Sequence, residues 1–370
     1  MRFVVSSGDL LSHLQVAARA IASKSPIPIL DNFLFSIEGN KLSITGSDSE
    51  VIVVTALELS EADHDGRVAV PGNKITEYLK KLPEQPVTFN IDETNYSIEI
   101  VTMSGKNNQA GLPADDYPQV KELESIQNTF NISSDALLAG INHTLYATAN
   151  DELRPIMNGI LFDIQPNQIT FVATDSHILA RYTRSDVNAG IESSLVLGKK
   201  SANLLKNILS AGDEVTVSYD SKSALFRTSQ HKLICRLTDG AYPKYKSVIP
   251  TDNPYHVIAN RQDLSNAISR SALFTDGTEL IKLELTENSI LVSAQDLNFA
   301  CSASEKVSCQ YEGIEMPIGL KSSYFSTILS NMTSSEIEIQ ISDPSKAALI
   351  IPVDKKDNED ELLLIMPMRV

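Results

Sequence analysis

The chain reads as an α+β protein made of three tandem copies of one domain, each carrying two helices on antiparallel sheet. The first observation behind this is an internal repeat. The segment opening at Asn32, N-F-L-F-S-I-E-G-N-K-L-S-I-T-G-S-D, aligns without gaps over Gly159 to Asp175 and over Leu280 to Asp296. Each copy reads as an alternating strand, a polar turn, a second alternating strand and a closing Asp (Asp48, Asp175, Asp296), at offsets of 127 and 121 residues. The second observation is period-two alternation, which marks antiparallel strands with one buried face, whereas a parallel sheet shows continuous apolar runs. The third is a pair of helical patterns placed alike in every repeat.

Along each repeat the elements come in one order. An opening strand leads to a first helix at Asp9-Leu10-Leu11, Ala136-Leu137-Leu138 and Asp263-Leu264-Ser265, with Leu10, Leu137 and Leu264 each 127 residues apart. In the first copy Leu10, Leu14, Ala17 and Ile21 form one apolar stripe, and Leu137, Ile141 and Leu145 repeat it in the second. The hairpin follows. A strand and turn then lead to a second helix in V-A-V-P-G-N-K-I-T-E-Y-L-K from Val68, L-V-L-G-K-K-S-A-N-L-L-K from Leu195 and M-P-I-G-L-K-S-S-Y-F-S-T-I-L from Met316. A final strand pair starts with V-T-F-N-I-D (Val87), V-T-V-S-Y-D (Val215) and I-E-I-Q-I-S-D (Ile337). Helices are predicted over 6–24, 72–82, 133–149, 198–211, 261–275 and 319–331, and domains over 1–122, 128–250 and 251–370.

Two amphipathic helices per copy lie on one side of the sheets, so copies meeting edge to edge put helices on one surface and sheet on the other. Strand edges left at the two ends must be covered or paired with another chain. That geometry invites a closed, symmetric oligomer.

The 370 residues, 42% of them hydrophobic, suffice for three domains of ordinary size. No apolar run approaches the roughly 20 residues of a bilayer span. Met1-Arg2-Phe3-Val4-Val5 runs straight into a strand without a signal-peptide pattern, so a soluble, unsecreted, cytoplasmic protein is expected. Cys235, Cys301 and Cys309 have the spacing of neither a disulfide framework nor a zinc site and read as buried small hydrophobes. No metal and no cofactor are expected.

A net charge of −16 argues by itself against a protein that coats itself with nucleic acid. The distribution of charge says otherwise. The six predicted helices hold eleven Lys and Arg against four Asp and Glu, a net +7 inside an acidic chain. Lys74, Lys199, Lys200 and Lys321 fall at the turn into the second helix of their copies, and Lys24 follows the first helix.

Two other function classes are weighed. Thr174-Asp175-Ser176-His177 sets a hydroxyl, a carboxylate and an imidazole side by side, superficially like parts of a hydrolase. Neighbouring residues on a tight turn point apart, and catalytic triads are assembled from separate segments. Asp175 has counterparts in Asp48 and Asp296, which Ser176 and His177 lack, so it reads as a turn-capping carboxylate. No phosphate-cradling glycine loop, metal-spaced His cluster or nucleophile elbow appears. A repeat scaffold that binds proteins alone would lack the basic helices.

Several stretches carry a resemblance: L-P-A-D-D-Y-P (Leu112 to Pro118), N-G-I-L-F-D (Asn158 to Asp163), V-A-T-D-S-H-I-L-A (Val172 to Ala180), D-G-A-Y-P-K-Y (Asp239 to Tyr245) and the terminal M-P-M-R-V (Met366 to Val370). With the triplication, these make the chain resemble the bacterial beta sliding clamps, processivity subunits of the replicative DNA polymerase, along its whole length. The resemblance implies a head-to-tail homodimer whose six domains close a ring around double-stranded DNA, without catalysis, tethering the replicative polymerase and other replication and repair proteins. It also implies that Lys24, Lys74, Lys199, Lys200 and Lys321 face the hole and meet phosphates without reading sequence.

The resemblance further implies an apolar groove for partner peptides of the Gln-Leu-x-Leu-Phe type, carried by the polymerase, the clamp loader and others. Its matching positions are Met157, Thr174, Ser176, His177, Leu179, Pro243, Val248, Leu364, Ile365, Met366, Pro367, Met368 and Arg369. Methionines suit a groove with many partners because their thioether chains repack. Here Ser176-His177-Ile178-Leu179 stands where the family often has Gly-His-Arg-Leu, and Arg154-Pro155-Ile156-Met157 where it has Arg-Tyr-Tyr-Leu. A rim guanidinium and two tyrosines are thereby exchanged. At the implied dimer edge Asn107 and Gln109 replace frequently apolar side chains, while Leu273 and Phe274 stay apolar.

Overall fold

A computed structural model describes residues 1–21, 26–48, 50–118, 123 and 125–370. The first copy runs β1 (Arg2–Ser6), α1 (Ser7–Ala18), β2 (Asn32–Glu38), β3 (Lys41–Ser47), β4 (Val51–Glu58), the two-residue β5 (Glu61–Ala62), β6 (Gly66–Pro71), α2 (Gly72–Leu79), β7 (Pro86–Ile91), β8 (Ser97–Val101) and β9 (Lys106–Ala110). The second runs β10 (Asn128–Ser133), α3 (Ser134–Thr144), β11 (Gly159–Gln165), β12 (Gln168–Thr174), β13 (Ile178–Arg184), β14 (Ser193–Gly198), α4 (Lys199–Ile208), β15 (Glu214–Tyr219), β16 (Ser223–Arg227) and β17 (His231–Arg236). The third runs β18 (Tyr255–Asn260), α5 (Arg261–Ser271), β19 (Leu280–Thr286), β20 (Ser289–Asp296), β21 (Cys301–Tyr311), β22 (Met316–Lys321), α6 (Ser322–Asn331), β23 (Glu336–Ile341), β24 (Ala348–Pro352) and β25 (Glu359–Ile365). Apart from β5 the order is the same three times, so the repeat in sequence is a repeat in structure.

The helices start where polar caps allow it. The Ser6 hydroxyl accepts the Asp9 amide at 3.3 Å ahead of α1, and the Asn260 side chain accepts the Asp263 amide at 3.0 Å ahead of α5. Leu10, Leu137 and Leu264, the three equivalent leucines, are all fully buried. Each such side chain contributes about 1.5–3 kcal/mol by leaving water. Leu14 and Ala17 complete the buried stripe of α1 over Phe3, Phe35 and Phe89, while Ile21 packs partly buried at its edge. Close approach of that helix to the sheet requires Gly46, because a Cβ there would stand 2.2 Å from the Ala17 carbonyl oxygen.

Helix ends differ from expectation. Two of the first helices stop early in 3-10 turns, Leu145–Ala147 after α3 and Ala272–Phe274 after α5, and α1 ends at Ala18. Within the observed bounds six Lys and Arg face four Asp and Glu, so the helical excess is +2 and not +7. Arg19, Lys80, Lys81 and Lys321 lie just beyond the helix ends, and Lys24 lies outside the described residues. The cysteine expectation also needs correction: Cys235 is buried, but Cys301 and Cys309 on β21 are only partly so.

The chain divides into two compact units, residues 1–135 with 203–237, and residues 136–202 with 238–370. Unit one holds a five-stranded sheet, β5-β1-β7-β8-β9, and an eight-stranded sheet, β10-β15-β16-β17-β4-β3-β2-β6. Unit two holds a twelve-stranded sheet, β14-β11-β12-β13-β25-β24-β23-β18-β21-β20-β19-β22. Neighbouring copies thus share sheets: β17 pairs antiparallel with β4, Leu233 opposite Val53, and β13 with β25, Leu179 opposite Leu364. Among the described residues no helix is long and apolar enough to cross a membrane.

Candidate peptide groove and nucleic-acid interface

The Asp that closes each hairpin makes the same turn three times. The Asp175 carboxylate accepts the His177 and Ile178 amides, both at 2.8 Å; Asp48 accepts Glu50 and Val51, and Asp296 accepts Asn298 and Phe299. Asp175 is therefore occupied by backbone, in the turn-capping role, and is not aimed at the His177 imidazole. That ring instead stacks on Tyr324 of α6, with centroids 5.4 Å apart. Ser176 stands at φ +83°, in the left-handed region that favours glycine.

The predicted groove positions all fall in unit two. One face of the sheet formed by β14, β11, β12, β13 and β25 carries Leu161, Val172, Leu179, Leu362 and Leu364 as an apolar stripe, since alternate residues of a strand share a face. Tyr245 packs on the stripe, with Ile156, Tyr242 and Ile249 partly buried against it. Met157 is buried in the 3-10 turn Pro155–Asn158, its sulfur 4.0 Å from the Ser176 hydroxyl. Thr174 is buried at the end of β12, where its hydroxyl donates to the Ile178 carbonyl. Pro243 and Val248 lie exposed on the segment crossing the sheet, and Pro243 joins Leu161, Ser194 and Tyr242 in lining a depression beside it. Ile365, one residue beyond Leu364, is fully buried on the opposite face of β25.

The chain end is tied down by backbone. The Met366 amide donates to the His177 carbonyl and the Met368 amide to the Gly319 carbonyl, both at 2.8 Å. Met366 is exposed, Pro367 and Met368 are half-buried and Arg369 is exposed. Gly319 leaves room for this addition to the edge of β22: a Cβ there would stand 2.6 Å from the Met368 carbonyl oxygen.

The polar surroundings are held by named pairs. Arg154 donates to the Ser176 hydroxyl at 2.7 Å and to Asp151 at 2.8 Å. A guanidinium thus reaches this turn from a residue that motif matching did not single out as a site residue. Burial pushes the Asp163 carboxyl up, but the Tyr245 hydroxyl at 2.7 Å and the Lys246 ammonium at 3.0 Å outweigh it and hold the group below its ordinary value. Burial and the Asp175 charge push the Tyr324 phenol up.

The candidate DNA-facing lysines take similar places in their copies. Lys74 is exposed in the first turn of α2, and Lys199 and Lys200 are exposed at the start of α4. Lys321 directly precedes α6, with its ammonium 3.2 Å from Glu279 and 5.0 Å from the Tyr324 ring. Its charge is therefore partly offset. At the candidate dimer edges, Asn107 and Gln109 lie on β9, the outermost strand of its sheet, and Leu273 and Phe274 lie exposed in the 3-10 turn after α5.

Family models for the DNA polymerase III beta subunit match in chain order: the N-terminal domain over residues 1–121, the central domain over 131–244 and the C-terminal domain over 246–369. The chain belongs to the DNA polymerase III beta subunit family. The beta sliding clamps of Pseudomonas putida and Pseudomonas aeruginosa are each 28% identical to it, with both partners of each alignment covered over 100% of their length. A solved sliding clamp of Pseudomonas aeruginosa bound to griselimycin superposes with a TM-score of 0.94 at 27% identity, again over 100% of both chains. The clamp family is a non-catalytic processivity factor of DNA replication.

Within this clamp-family chain Arg154, Tyr242 and Tyr324 touch the site without being among the positions expected for it. Arg154 heads the compared stretch Arg154-Pro155-Ile156-Met157 and has Asp151 three residues before it. Tyr242 lies within the D-G-A-Y-P-K-Y stretch beside Pro243, whereas Tyr324 carries no local signal, since it acts on the site from a segment distant in sequence.

Proposed function

We propose that this clamp-family chain works as a head-to-tail homodimer closing a six-domain ring around double-stranded DNA, with domains over 1–122, 128–250 and 251–370, in the cytoplasm. The ring would hold DNA by topology and touch it through Lys24, Lys74, Lys199, Lys200 and Lys321 without regard to sequence. Partner proteins, among them the replicative polymerase and the clamp loader, would dock Gln-Leu-x-Leu-Phe type peptides across the stripe of Leu179 and Leu364, between Met157, Pro243, Val248 and the chain end. The observation that carries this reading is the apolar sheet face of Leu161, Val172, Leu179 and Leu364 beside an exposed Met366. The Pseudomonas aeruginosa clamp, solved with griselimycin, supports a ligand site in a protein of the same fold.

The test is retention. Protein loaded onto a nicked circular duplex should stay bound through gel filtration and be released when the circle is cut once. Protein that stays on the linear product overturns topological retention, and protein that runs as a monomer at micromolar concentration overturns the ring.

A further inference from the structure

We propose that Arg181 extends the peptide groove into an acid-reading subsite, so that partner peptides carrying a carboxylate beside their apolar motif are preferred. The inference rests on the groove reading above and adds to it a residue which that reading did not include. Arg181 lies on β13 two residues beyond Leu179, so it shares the Leu179 face of the sheet roughly 6–7 Å further along. There it stands opposite Val172 of β12 and Leu362 of β25, a guanidinium set into a row of the apolar stripe. The next row out is polar: the Thr170 and Thr183 hydroxyls share a hydrogen bond at 3.0 Å, and Asp360 stands opposite Thr183 on β25. The stripe therefore ends at Arg181, where apolar contact gives way to charge.

Within the chain this guanidinium is incompletely paired. Its Nη2 donates to the Asp360 carboxylate, whereas Nε is buried with no acceptor, an arrangement that folding alone disfavours. The Asp360 side chain is 59% exposed and that of Arg181 24%, so the pair stands open to water, adds little to stability and yields to a better acceptor. Tyr245 lies close by: the Arg181 charge reaches its phenol, opposing the burial and the Asp163 hydrogen bond that push that group up. Lys244 and Lys246 flank Tyr245 with exposed side chains. Around this end of the groove three cations thus meet two carboxylates, Asp163 and Asp360, and the surplus charge suits an incoming acid. A guanidinium takes a carboxylate in a planar, two-bonded fork that an ammonium cannot form, which makes Arg181 the reader and the two lysines a background field. The carboxylate belongs to a residue next to the motif, because Leu179 and Leu364 hold the apolar side chains one row away.

The test is calorimetric titration with Gln-Leu-x-Leu-Phe peptides extended by one Glu, before or after the motif, each against a twin with Gln in its place. On wild type one Glu peptide should bind on the order of tenfold more tightly than its twin, the gain of a two-bonded charged pair partly open to water. Salt should shrink that gain. Arg181→Leu, which keeps the row packed, should abolish the gain and leave the Gln peptides bound as in wild type, and Arg181→Lys should keep only part of it. Asp360→Ala removes the competing carboxylate and should enlarge it. Equal binding of Glu and Gln peptides at both ends would overturn the subsite and leave the groove standing, whereas no binding of any peptide to wild type would overturn both. A Glu preference that survives Arg181→Leu would assign the acid to the lysines and overturn the proposal. Loss of every peptide in Arg181→Leu with unchanged melting would make Arg181 a wall of the apolar groove, which overturns it too. If Arg181→Leu does not fold, Arg181→Lys decides, and an undiminished Glu preference there overturns the fork.

Discussion

His13 and His231 meet through a single hydroxyl. The Nδ1 atoms of both rings contact the Oγ1 of Thr55, which is fully buried, His231 at 2.9 Å, with the ring centroids 5.9 Å apart. His13 belongs to α1, Thr55 to β4 and His231 to β17, so the contact spans the seam where the first and second copies share a sheet. One hydroxyl donates to one ring nitrogen and accepts from the other's N–H, so the trio is satisfied with both rings neutral.

Stability should therefore fall in mild acid. Burial lowers the affinity of His13 for protons against the opposing charge of Asp9; burial and His13 lower that of His231 against Asp213. Both folded values lie below the ordinary 6.5, so the unfolded chain binds more protons as pH drops below about 6.5. The stabilisation is complete above that pH and is lost as pH falls through the lowered folded values. Urea midpoints measured from pH 7.5 to 5 should decline, and a His13→Gln/His231→Gln variant should flatten the decline. An equal slope in the variant would place the acid sensitivity elsewhere.

Replacing Ser176 by Gly should raise stability by about 1 kcal/mol, since a side chain at φ +83° bears a left-handed penalty that glycine escapes. The same change removes the hydroxyl that holds Arg154, so the guanidinium should become mobile and peptide affinity should shift. Thermal melting and calorimetric titration of the peptide read the two effects separately. A lower melting point would show that the Arg154 hydrogen bond outweighs the backbone penalty.

Deleting Met366 to Val370 should abolish binding of a Gln-Leu-x-Leu-Phe peptide and leave the dimer intact. It should also lower stability by about 1–3 kcal/mol, because the Met366 and Met368 amides each give up a backbone hydrogen bond. Gly319→Ala should reproduce part of the peptide defect without altering any groove side chain, by pushing Met368 off the edge of β22. Peptide titrations on both variants, with sedimentation alongside, test this. Undiminished peptide affinity after truncation would remove the tail from the site.

Lys199→Glu with Lys200→Glu should reduce loading onto nicked circles and weaken direct binding to short duplex, with melting unchanged, because both side chains are exposed. Direct binding should also weaken steeply with salt, as phosphate contacts release counterions. Fluorescence anisotropy across a salt series measures it. A salt slope equal to that of wild type would mean that these lysines do not meet phosphates.

Much of the fold was legible because its causes are local. The buried leucines at 10, 137 and 264 follow from helical periodicity, and the turns at Asp48, Asp175 and Asp296 are made by a carboxylate and amides two or three residues on, so the same short sequence builds them wherever it occurs. The groove was legible only in part. Leu179 and Leu364 become neighbours by pairing β13 with β25, and strand pairing between segments far apart in the chain leaves no mark in either. Helix ends went the same way: 3-10 turns cut α3 and α5 short, and the basic excess shrank because Arg19, Lys80, Lys81 and Lys321 lie just beyond the ends of α1, α2 and α6. The sequence by itself determined three repeats, their element order and the residues that must leave water. The tertiary structure alone decided which sheets fuse, that Arg154 reaches the Ser176 hydroxyl and that Met368 lies on Gly319, because hydrogen bonds between distant segments depend on where the whole backbone runs and not on the residues beside them.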